Sequence, residues 1–513
     1  MEESKRIAKN TIILYIRMFF VMAITIYTSR VVLEILGIED YGVQNAVGGI
    51  VGMFSLISGS MSNSVMRFIT YELGKGNKTR LANVFISSVN VMLILAILVF
   101  IIGELLGVWF LNHKMSIPEG RMVAANWVFH LSLLTFAINI MSVPYNATIV
   151  AYERMNIYAF ISVLEVILKL VIVYLLKLSN IDRLILYSIL LFSVAVLIRL
   201  IYWIYCRKSF KECEYQFVYD KVLLKKMASF AGWNFFGQST AVISNQGVNI
   251  LMNLFFGVLV NAARGISGHV QSAVMQFVNS FTVALNPQIT KSYASGDFQY
   301  MHKLIYSGAK ISYFLTILVT IPLFIEAKTV LKLWLGTIPD YSVTFVQLTL
   351  VFVSISVITG TLIPSLHATG KIKKYMVIIG FSEIVIFSIC LLAYKLGSSP
   401  ESSYHIYNIS YICLIFVRLF LIKDLIHISI KEYCQKVLFR IALVTICAFT
   451  ISTFVINLLE ATCIRLVYSL IICTCISCVS EYFLGFDIEE KQIIKKILYR
   501  KFNNKQNDKK GFS

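Results

Sequence analysis

The turn between the first two apolar segments of the chain reads Gly37-Ile38-Glu39-Asp40-Tyr41-Gly42. The two segments together run from Lys9 to Asn77, and each has about the 20 residues that a helix needs to cross a bilayer. Arg17, Arg30 and Arg67 lie inside them, where a helix that faces only lipid carries no charge. The stretch therefore predicts two transmembrane helices of a transporter with a positively charged interior.

The composition extends this prediction to the whole chain. Apolar residues make up 58% of the 513 residues and charged residues 14%, and the mean hydropathy is +0.76. The chain divides into about fourteen apolar stretches of membrane-spanning length, and these are continuous rather than alternating, which favours helices over a barrel. We expect an all-α polytopic membrane protein with about 14 transmembrane helices.

The positive charge is unevenly distributed along the chain. The net charge is +19, and the basic residues cluster in the N-terminal segment, in residues 207–226 and in the C-terminal tail. Placing these clusters inside gives roughly thirty Lys and Arg in cytoplasmic loops against about nine outside, which fits the positive-inside rule. We therefore expect both termini to be cytoplasmic, with the bilayer and not nucleic acid as the partner of the basic segments.

An internal repeat emerges when the sequence is compared with itself at an offset of about 220 residues. The matching pairs are Gly37 with Gly257, Gly76 with Gly296, Asn77 with Asp297, and Pro144 with Pro364. Six spans in each half give both halves the same direction through the membrane, so the repeat is parallel. The prolines are expected to bend the fourth and tenth helices.

The repeat divides the chain into five predicted segments. The two six-helix lobes are 1–206 and 227–430, separated by the cytoplasmic loop 207–226. Two appended transmembrane helices follow in 431–486, and a basic cytoplasmic tail occupies 487–513. None of the soluble pieces is long enough to bury a core of its own.

Polar residues form a stripe along the seventh span and continue in the eighth. Those that we select as candidate sugar-binding residues are Asn234, Gln238, Asn245, Asn249 and Gln276. The spacings of four and seven residues in the seventh span keep its members on one helical face. Such a face indicates either a water-filled cavity or hydrogen bonds between packed helices.

Charged residues inside spans cost about 2.5 to 3.5 kcal/mol each on insertion scales, so each needs a partner, a route to water or a function. Arg17, Arg30, Arg67 and Arg264 are candidates for binding an anionic group, with snorkelling to the membrane surface as the alternative. Lys310 and Arg418 are open to the same two interpretations.

The acidic residues of the spans suggest two different roles. Glu165 and Lys169 have the spacing of a helical ion pair. Glu383 has no partner nearby in the sequence and is the candidate for coupling to H+ or Na+. No Walker motif is present, and the seven scattered histidines form no metal-binding or catalytic group. We therefore expect neither a metal nor an enzymatic activity.

The opening of the chain carries several motifs in sequence. They are Ala8-Lys9-Asn10-Thr11, Tyr27-Thr28-Ser29-Arg30-Val31-Val32-Leu33, Leu36-Gly37-Ile38-Glu39-Asp40-Tyr41-Gly42, Gly48-Gly49-Ile50-Val51, Arg67-Phe68 and Glu72-Leu73-Gly74-Lys75-Gly76. This opening resembles Wzx-type O-antigen and capsular polysaccharide flippases. The rest of the chain is similar to that family in its span count and layout.

The resemblance implies membership of the multidrug/oligosaccharidyl-lipid/polysaccharide exporter (MOP) superfamily, with two six-helix lobes and alternating access. It implies translocation of an undecaprenyl-pyrophosphate-linked oligosaccharide repeat unit across the bacterial inner membrane, for O-antigen of lipopolysaccharide or for capsule. In that role the four arginines would bind the pyrophosphate and the amide stripe the sugars. A polysaccharide polymerase and a chain-length regulator are the implied protein partners, and the coupling ion stays open.

Two other functions remain open at this point. A cation-coupled multidrug antiporter of the same superfamily would have an acidic cavity, which the arginines argue against. A membrane enzyme of polysaccharide assembly would have a large periplasmic loop or a catalytic cluster, whereas the expected outside loops are short.

Overall fold

The computed structural model describes residues 2–52, 54–115, 117, 120–178, 182–214, 216, 220–458 and 463–492. These residues are helical almost throughout and contain no strand, which confirms the predicted all-α fold. Most of the predicted tail 487–513 and parts of the loop 207–226 lie outside the described residues.

Seventeen α-helices follow one another along the described chain. Their bounds are α1 Glu2–Gly52, α2 Ser55–Lys75, α3 Lys78–Ile102, α4 Val108–Lys114, α5 Met122–Ala151, α6 Met155–Leu175, α7 Arg183–Ser209, α8 Lys221–Ser295, α9 Phe298–Ile325, α10 Ala327–Leu335, α11 Ser342–Ile358, α12 Leu362–Thr369, α13 Lys373–Lys395, α14 Ser402–Ile426, α15 Ile430–Tyr433, α16 Phe439–Asn457 and α17 Cys463–Ser480. Five-residue π-helical segments adjoin α3, α15 and α17.

The predicted turn at residues 37–42 is a break at a single residue. Gly37 has φ 79° and ψ 170°, and helical structure continues on both sides of it within α1. Gly257 divides α8 in the same way, with φ 82° and ψ −177°. This region of backbone space is accessible essentially only to glycine, which explains why glycine stands at both positions of the predicted repeat.

A second pair of matching positions has the same helix-end geometry. Gly76 and Gly296 end α2 and α8 in the left-handed conformation, with φ 71° and 80°. The following Asn77 and Asp297 each accept a hydrogen bond from the amide three residues later, at 3.0 Å. The structure therefore confirms the register of the repeat at these positions.

The helices form two compact units. Unit 1 comprises the described residues up to Gly247 together with Asn279–Leu304 and Leu362–Phe387. Helix α5 is central to it, because α1, α2, α3 and α7 all pack against α5. One of its apolar clusters contains Leu14, Val150, Met155 and Ala284, all buried.

Unit 2 comprises Val248–Val278, Ile305–Thr361 and the described residues from Ser388 onward. Its apolar core includes Val274, Leu331, Leu350 and Val353. Here α11 packs against α14, and α16 packs against α17. The predicted division into 1–206 and 227–430 is a division by sequence repeat, and it stays a prediction.

Two charges predicted to reach a cavity or to snorkel have local partners in unit 2. Lys310 is fully buried, and its Nζ bonds to Glu490 at 2.6 Å and to Asp487 at 3.1 Å. Arg418 donates through Nη1 to the hydroxyl of Thr359. The two ion pairs satisfy Lys310, so neither interpretation offered for it is needed. Arg418 is only partly satisfied, because its Nε is buried and has no partner among the described residues.

Nine helices of the described chain are long and apolar enough to cross a membrane, or ten if the bent pair α11 and α12 forms one span. This is fewer than the predicted number of about fourteen spans. The predicted spans outside this set include the two halves of α8 and α14, and these stretches are helical in the structure.

The two matched prolines have different effects. Pro144 lies inside α5, which continues through it from Met122 to Ala151. Pro364 lies in the first turn of α12, just after a bend of 40° between α11 and α12. Proline is well tolerated in a first turn because its missing N–H would be unpaired there in any case. The expected interruption is therefore confirmed only in the second half.

Candidate functional site

Two arginines in unit 1 lie against tyrosine rings and keep unpaired nitrogens. The Cζ atom of Arg17 on α1 is 4.6 Å from the ring centroid of Tyr158 on α6. The Cζ atom of Arg199 on α7 is 4.0 Å from that of Tyr145 on α5. Both distances are those of cation–π contacts. Nε of Arg17 and Nη1 of Arg199 are buried and have no hydrogen-bond partner among the described residues.

Tyr202 is on the same helix as Arg199. It is buried and lies three residues after Arg199 on α7, so the two share a helical face. Arg17 and Glu165 are both close enough to the Tyr202 hydroxyl to interact with it electrostatically. Since Glu165 is bound to Lys169 at 2.6 Å, as the sequence predicted, its charge is already compensated. The interior of this part of unit 1 is therefore positively charged.

Arg199 is a residue that we did not select from the sequence. It stands alone in the apolar span of α7, and the rule that singled out Arg17 and Arg67 applies to it equally. The cluster of basic residues that begins at Arg207 lies eight residues further along the same helix. The structure places Arg199 beside Tyr145 instead.

Arg67 binds the backbone of another helix end in unit 1. Its Nε donates to the carbonyl of His367 and its Nη2 to that of Ala368, both at 3.1 Å. Its Cζ also lies 4.4 Å and 4.7 Å from the rings of Phe68 and Tyr71. Cations stabilise helix C-termini because the last carbonyls carry partial negative charge. Much of the hydrogen-bonding capacity of Arg67 thus goes to the end of α12.

A corresponding contact occurs at the end of α5. Glu153 follows that helix with φ 58°, and its buried carboxylate binds Lys291 and, at 2.7 Å, Gln288. Arg6 also reaches it at 2.7 Å. Gln288 lies next to the repeat equivalent of Arg67, which is Pro287. In unit 1, α2 therefore bonds to the end of α12, and α8 bonds to the residue that follows α5. These two contacts occupy equivalent places in the two halves of the repeat.

The other two predicted arginines have different environments. Arg30 is exposed on α1, and the described part of α1 contains no ion pair between it and Glu34. Arg264 belongs to unit 2 and is half-buried. Its Nη1 is 4.0 Å from the sulfur of Met252 and its Cζ is 5.7 Å from the ring of Tyr404. Arg264 is thus in a tyrosine-lined environment like those of Arg17 and Arg199, but in the other unit.

The predicted amide stripe is divided between the two units. Asn234 and Gln238 in unit 1 are joined by a hydrogen bond of 3.1 Å from Nε2 of Gln238, and Nδ2 of the buried Asn234 has no partner among the described residues. Asn245 in unit 1 is exposed; in unit 2, Gln276 is exposed and Asn249 half-buried. The structure thus joins Asn234 to Gln238, two of the five predicted sugar-binding residues, by a direct hydrogen bond.

Glu383, the predicted coupling residue, is buried on α13 in unit 1 with 3% of its surface exposed. Its backbone carbonyl accepts a hydrogen bond from Ser244 at 3.0 Å. No group of three or more metal-binding side chains occurs in the described part of the chain.

No family model matches the sequence, and no curated protein sequence matches it. Solved structures do match. MATE in the bent conformation superposes with a TM-score of 0.74 at 14% identity, over 83% of this chain and 96% of that chain. The outward-facing conformation of a multidrug resistance MATE family transporter of the MOP superfamily gives 0.73 at 14% identity, with the same coverage.

A third similar structure comes from Pyrococcus furiosus. It is a MOP superfamily transporter in which the reverse polarity of the binding pocket suggests a different function. It gives a TM-score of 0.70 at 14% identity, over 82% of this chain and 96% of that chain. At such low identities a likeness demonstrates the fold and not the substrate. The chain has the fold of the MATE transporters of the MOP superfamily.

Proposed function

We propose that this protein is a flippase that moves an undecaprenyl-pyrophosphate-linked oligosaccharide repeat unit across the bacterial inner membrane, by alternating access. The product would serve the assembly of a surface polysaccharide, either O-antigen or capsule. The observation that carries the proposal is the pair Arg17 and Arg199, each stacked on a tyrosine and each with a buried nitrogen that no described residue satisfies.

A pyrophosphate suits this environment. Guanidinium groups form charge-assisted hydrogen bonds with phosphate oxygens, and such bonds are stronger than neutral ones. Each tyrosine ring contacts the face of a guanidinium group, and such a cation–π contact leaves the N–H groups of the arginine available to donate hydrogen bonds. A buried unpaired donor is costly in the absence of a ligand, so these nitrogens are best explained by an anionic group that binds there.

The acidic residues nearby do not favour a cationic substrate. Glu165 is paired with Lys169, and Glu153 binds three donors. A cation-binding cavity needs carboxylates that are available to the substrate. The amide of Asn234, which has an unpaired nitrogen, is instead suited to a sugar hydroxyl.

A cation-coupled multidrug antiporter is the second candidate. The likeness to a multidrug resistance MATE transporter speaks for it, and so does the buried Glu383 as a group that could exchange a proton or Na+. The Pyrococcus furiosus structure is a precedent for the opposite case, because reverse polarity of its pocket suggests a different function for a transporter of this fold.

A gene deletion separates the two candidates. We expect the deletion strain to lose surface polysaccharide and to accumulate lipid-linked repeat units on the cytoplasmic side, with a polymerase and a chain-length regulator still present but without substrate. A normal polysaccharide profile together with raised sensitivity to cationic drugs would contradict the proposal and support the antiporter.

A further inference from the structure

A charged cavity lies in unit 1, where α2 ends and α3 and α8 begin. Its volume is about 540 Å³, which is within the range of small-molecule sites. Neither Arg17 nor Arg199 lines it. The cavity is therefore separate from the arginine pair on which the proposed function rests.

Four cationic residues line this cavity against two acidic ones. The cations are Arg67, Lys75, Arg80 and Lys226, and the acids are Glu72 and Asp220. Phe68 and Tyr71 form an aromatic part of the wall. The lining therefore has an excess of positive charge.

Both acids have local partners. Glu72 lies 3.5 Å from Nε of Arg80. The carboxylate of Asp220 accepts a hydrogen bond of 2.9 Å from the amide of Leu223, at the start of α8. The contact to Arg80 uses Oε1 of Glu72, while its Oε2 is buried without a described partner. Within the described lining, neither acid forms an ion pair with a lysine of the wall.

The two lysines have no carboxylate partner among the described residues. Nζ of Lys75 lies 4.8 Å from the ring centroid of Tyr71, a contact that leaves its three donors available. Lys226 is exposed on α8. A lysine ammonium is a flexible point charge, and lysines are common ligands of phosphate.

The helix starts add to the positive potential of the cavity. Helix α3 starts at Lys78 and α8 at Lys221, and residues of both first turns line the cavity. One amide of each first turn is already bonded to a side chain, that of Arg80 to Asn77 and that of Leu223 to Asp220. The other N–H groups of a helix N-terminus favour anions. The hydroxyl of Thr79 and the amide of Asn83 provide further neutral donors.

We propose that this cavity binds the phosphate groups of an anion, carried either by an anionic lipid headgroup or by a soluble phosphate. Lys75 and Lys226 supply the charge, and the first turns of α3 and α8 supply neutral donors. The site requires no particular transported substrate, so it stands or falls independently of the proposed function.

Inorganic pyrophosphate is the probe for this site. The full-length protein is purified in detergent, and binding is measured by calorimetry and by the rise in unfolding temperature. We expect K75Q/K226Q to bind at least about tenfold more weakly, a loss of about 1.4 kcal/mol. The matched control is K221Q/K225Q, which removes the same charge from the same end of α8 at positions that do not line the cavity.

Equal affinities of the two double variants, or no binding to the unmodified protein, would overturn the proposal. The unfolding temperature of each variant without ligand verifies that it is folded. The source of the phosphate is then tested in nanodiscs. Competition by phosphatidylglycerol, abolished in K75Q/K226Q, would identify a lipid headgroup, whereas pyrophosphate binding that is equal with and without anionic lipid would identify a soluble phosphate.

Discussion

At the scale of single residues, the account depends on Arg17 and Arg199. Both are half-buried, both lie against a tyrosine and both have a nitrogen without a described partner. Placed on an isolated apolar helix, either charge would be costly. Positions that carry this cost without a compensating carboxylate are best explained by a ligand.

The first prediction concerns these two arginines. Arg17→Gln and Arg199→Gln should each lower transport of the lipid-linked substrate at least tenfold, because each removes a charge-assisted contact of about 1.5 to 3 kcal/mol. The measurement is restoration of surface polysaccharide in a deletion strain. Arg207→Gln is the matched control, since Arg207 is on the same helix as Arg199 and stacks on Trp203 but is exposed; it should retain transport.

The sequence revealed some residues of this kind and not others. The rule that charges inside apolar spans need an explanation identified Arg17 and also Lys310, but only the structure separates their roles. The partners of Lys310, Asp487 and Glu490, lie more than 170 residues away in the sequence, and helical spacing reveals only partners within about one turn. For the same reason the local pair Glu165 and Lys169 was predictable.

At the scale of helices, ion pairs join segments that are distant in sequence. Arg121, at the start of α5, binds both Asp40 on α1 and Asp182. Asp182 also accepts hydrogen bonds from the amides of Leu184 and Ile185 at the start of α7. One guanidinium thus fixes the relative positions of three helices at one end of unit 1.

The second prediction concerns the pH dependence of this contact. Burial raises the pKa of Asp182, but the hydrogen bonds from Arg121 and from the backbone amides outweigh it and hold the pKa below its ordinary value. The carboxylate therefore stabilises the fold fully above about pH 4, and this contribution is lost as the pH falls further. We expect unfolding temperatures between pH 5 and 3 to fall less steeply in Asp182→Asn, which retains the helix cap. Identical slopes in the two proteins would contradict this.

The third prediction compares a buried ion pair with an exposed one. Glu153→Gln removes a carboxylate that is 1% exposed and binds Lys291, Arg6 and Gln288, so it should lower the free energy of unfolding by about 1.5 to 3 kcal/mol. Glu165→Gln breaks a pair whose side chains are 38% and 40% exposed and should cost less than about 1 kcal/mol. The measurement is thermal unfolding in detergent, and losses of similar size in the two variants would refute the comparison.

At the scale of the whole molecule, the duplicated chain is the organising feature. The register that was read from scattered glycines and prolines is confirmed where backbone conformation demands a particular residue, at Gly37 with Gly257 and at Gly76 with Gly296. It could not be read from the arginines, since Arg30 and Arg67 have no basic counterparts at Ile250 and Pro287. The division of the helices into compact units was beyond the sequence, because it follows from long-range packing.

The fourth prediction tests this duplication. Gly37→Ala and Gly257→Ala should each destabilise the protein by about 1 to 3 kcal/mol, because both glycines have conformations that other residues rarely adopt. Gly42→Ala is the control, since Gly42 is helical and has open space around it; it should be neutral or slightly stabilising. A Gly42→Ala variant as unstable as the other two would contradict the account.

The most direct test of the central claim is transport by the purified protein in proteoliposomes. A fluorescent undecaprenyl-pyrophosphate-linked oligosaccharide is placed in one leaflet, its appearance in the other is followed by quenching, and efflux of a cationic dye is followed in parallel. The positively charged interior around Arg17 and Arg199 predicts that the lipid-linked substrate moves at a rate that Arg17→Gln lowers at least about tenfold, while the dye does not move. Dye transport without translocation of the lipid-linked oligosaccharide would contradict the account.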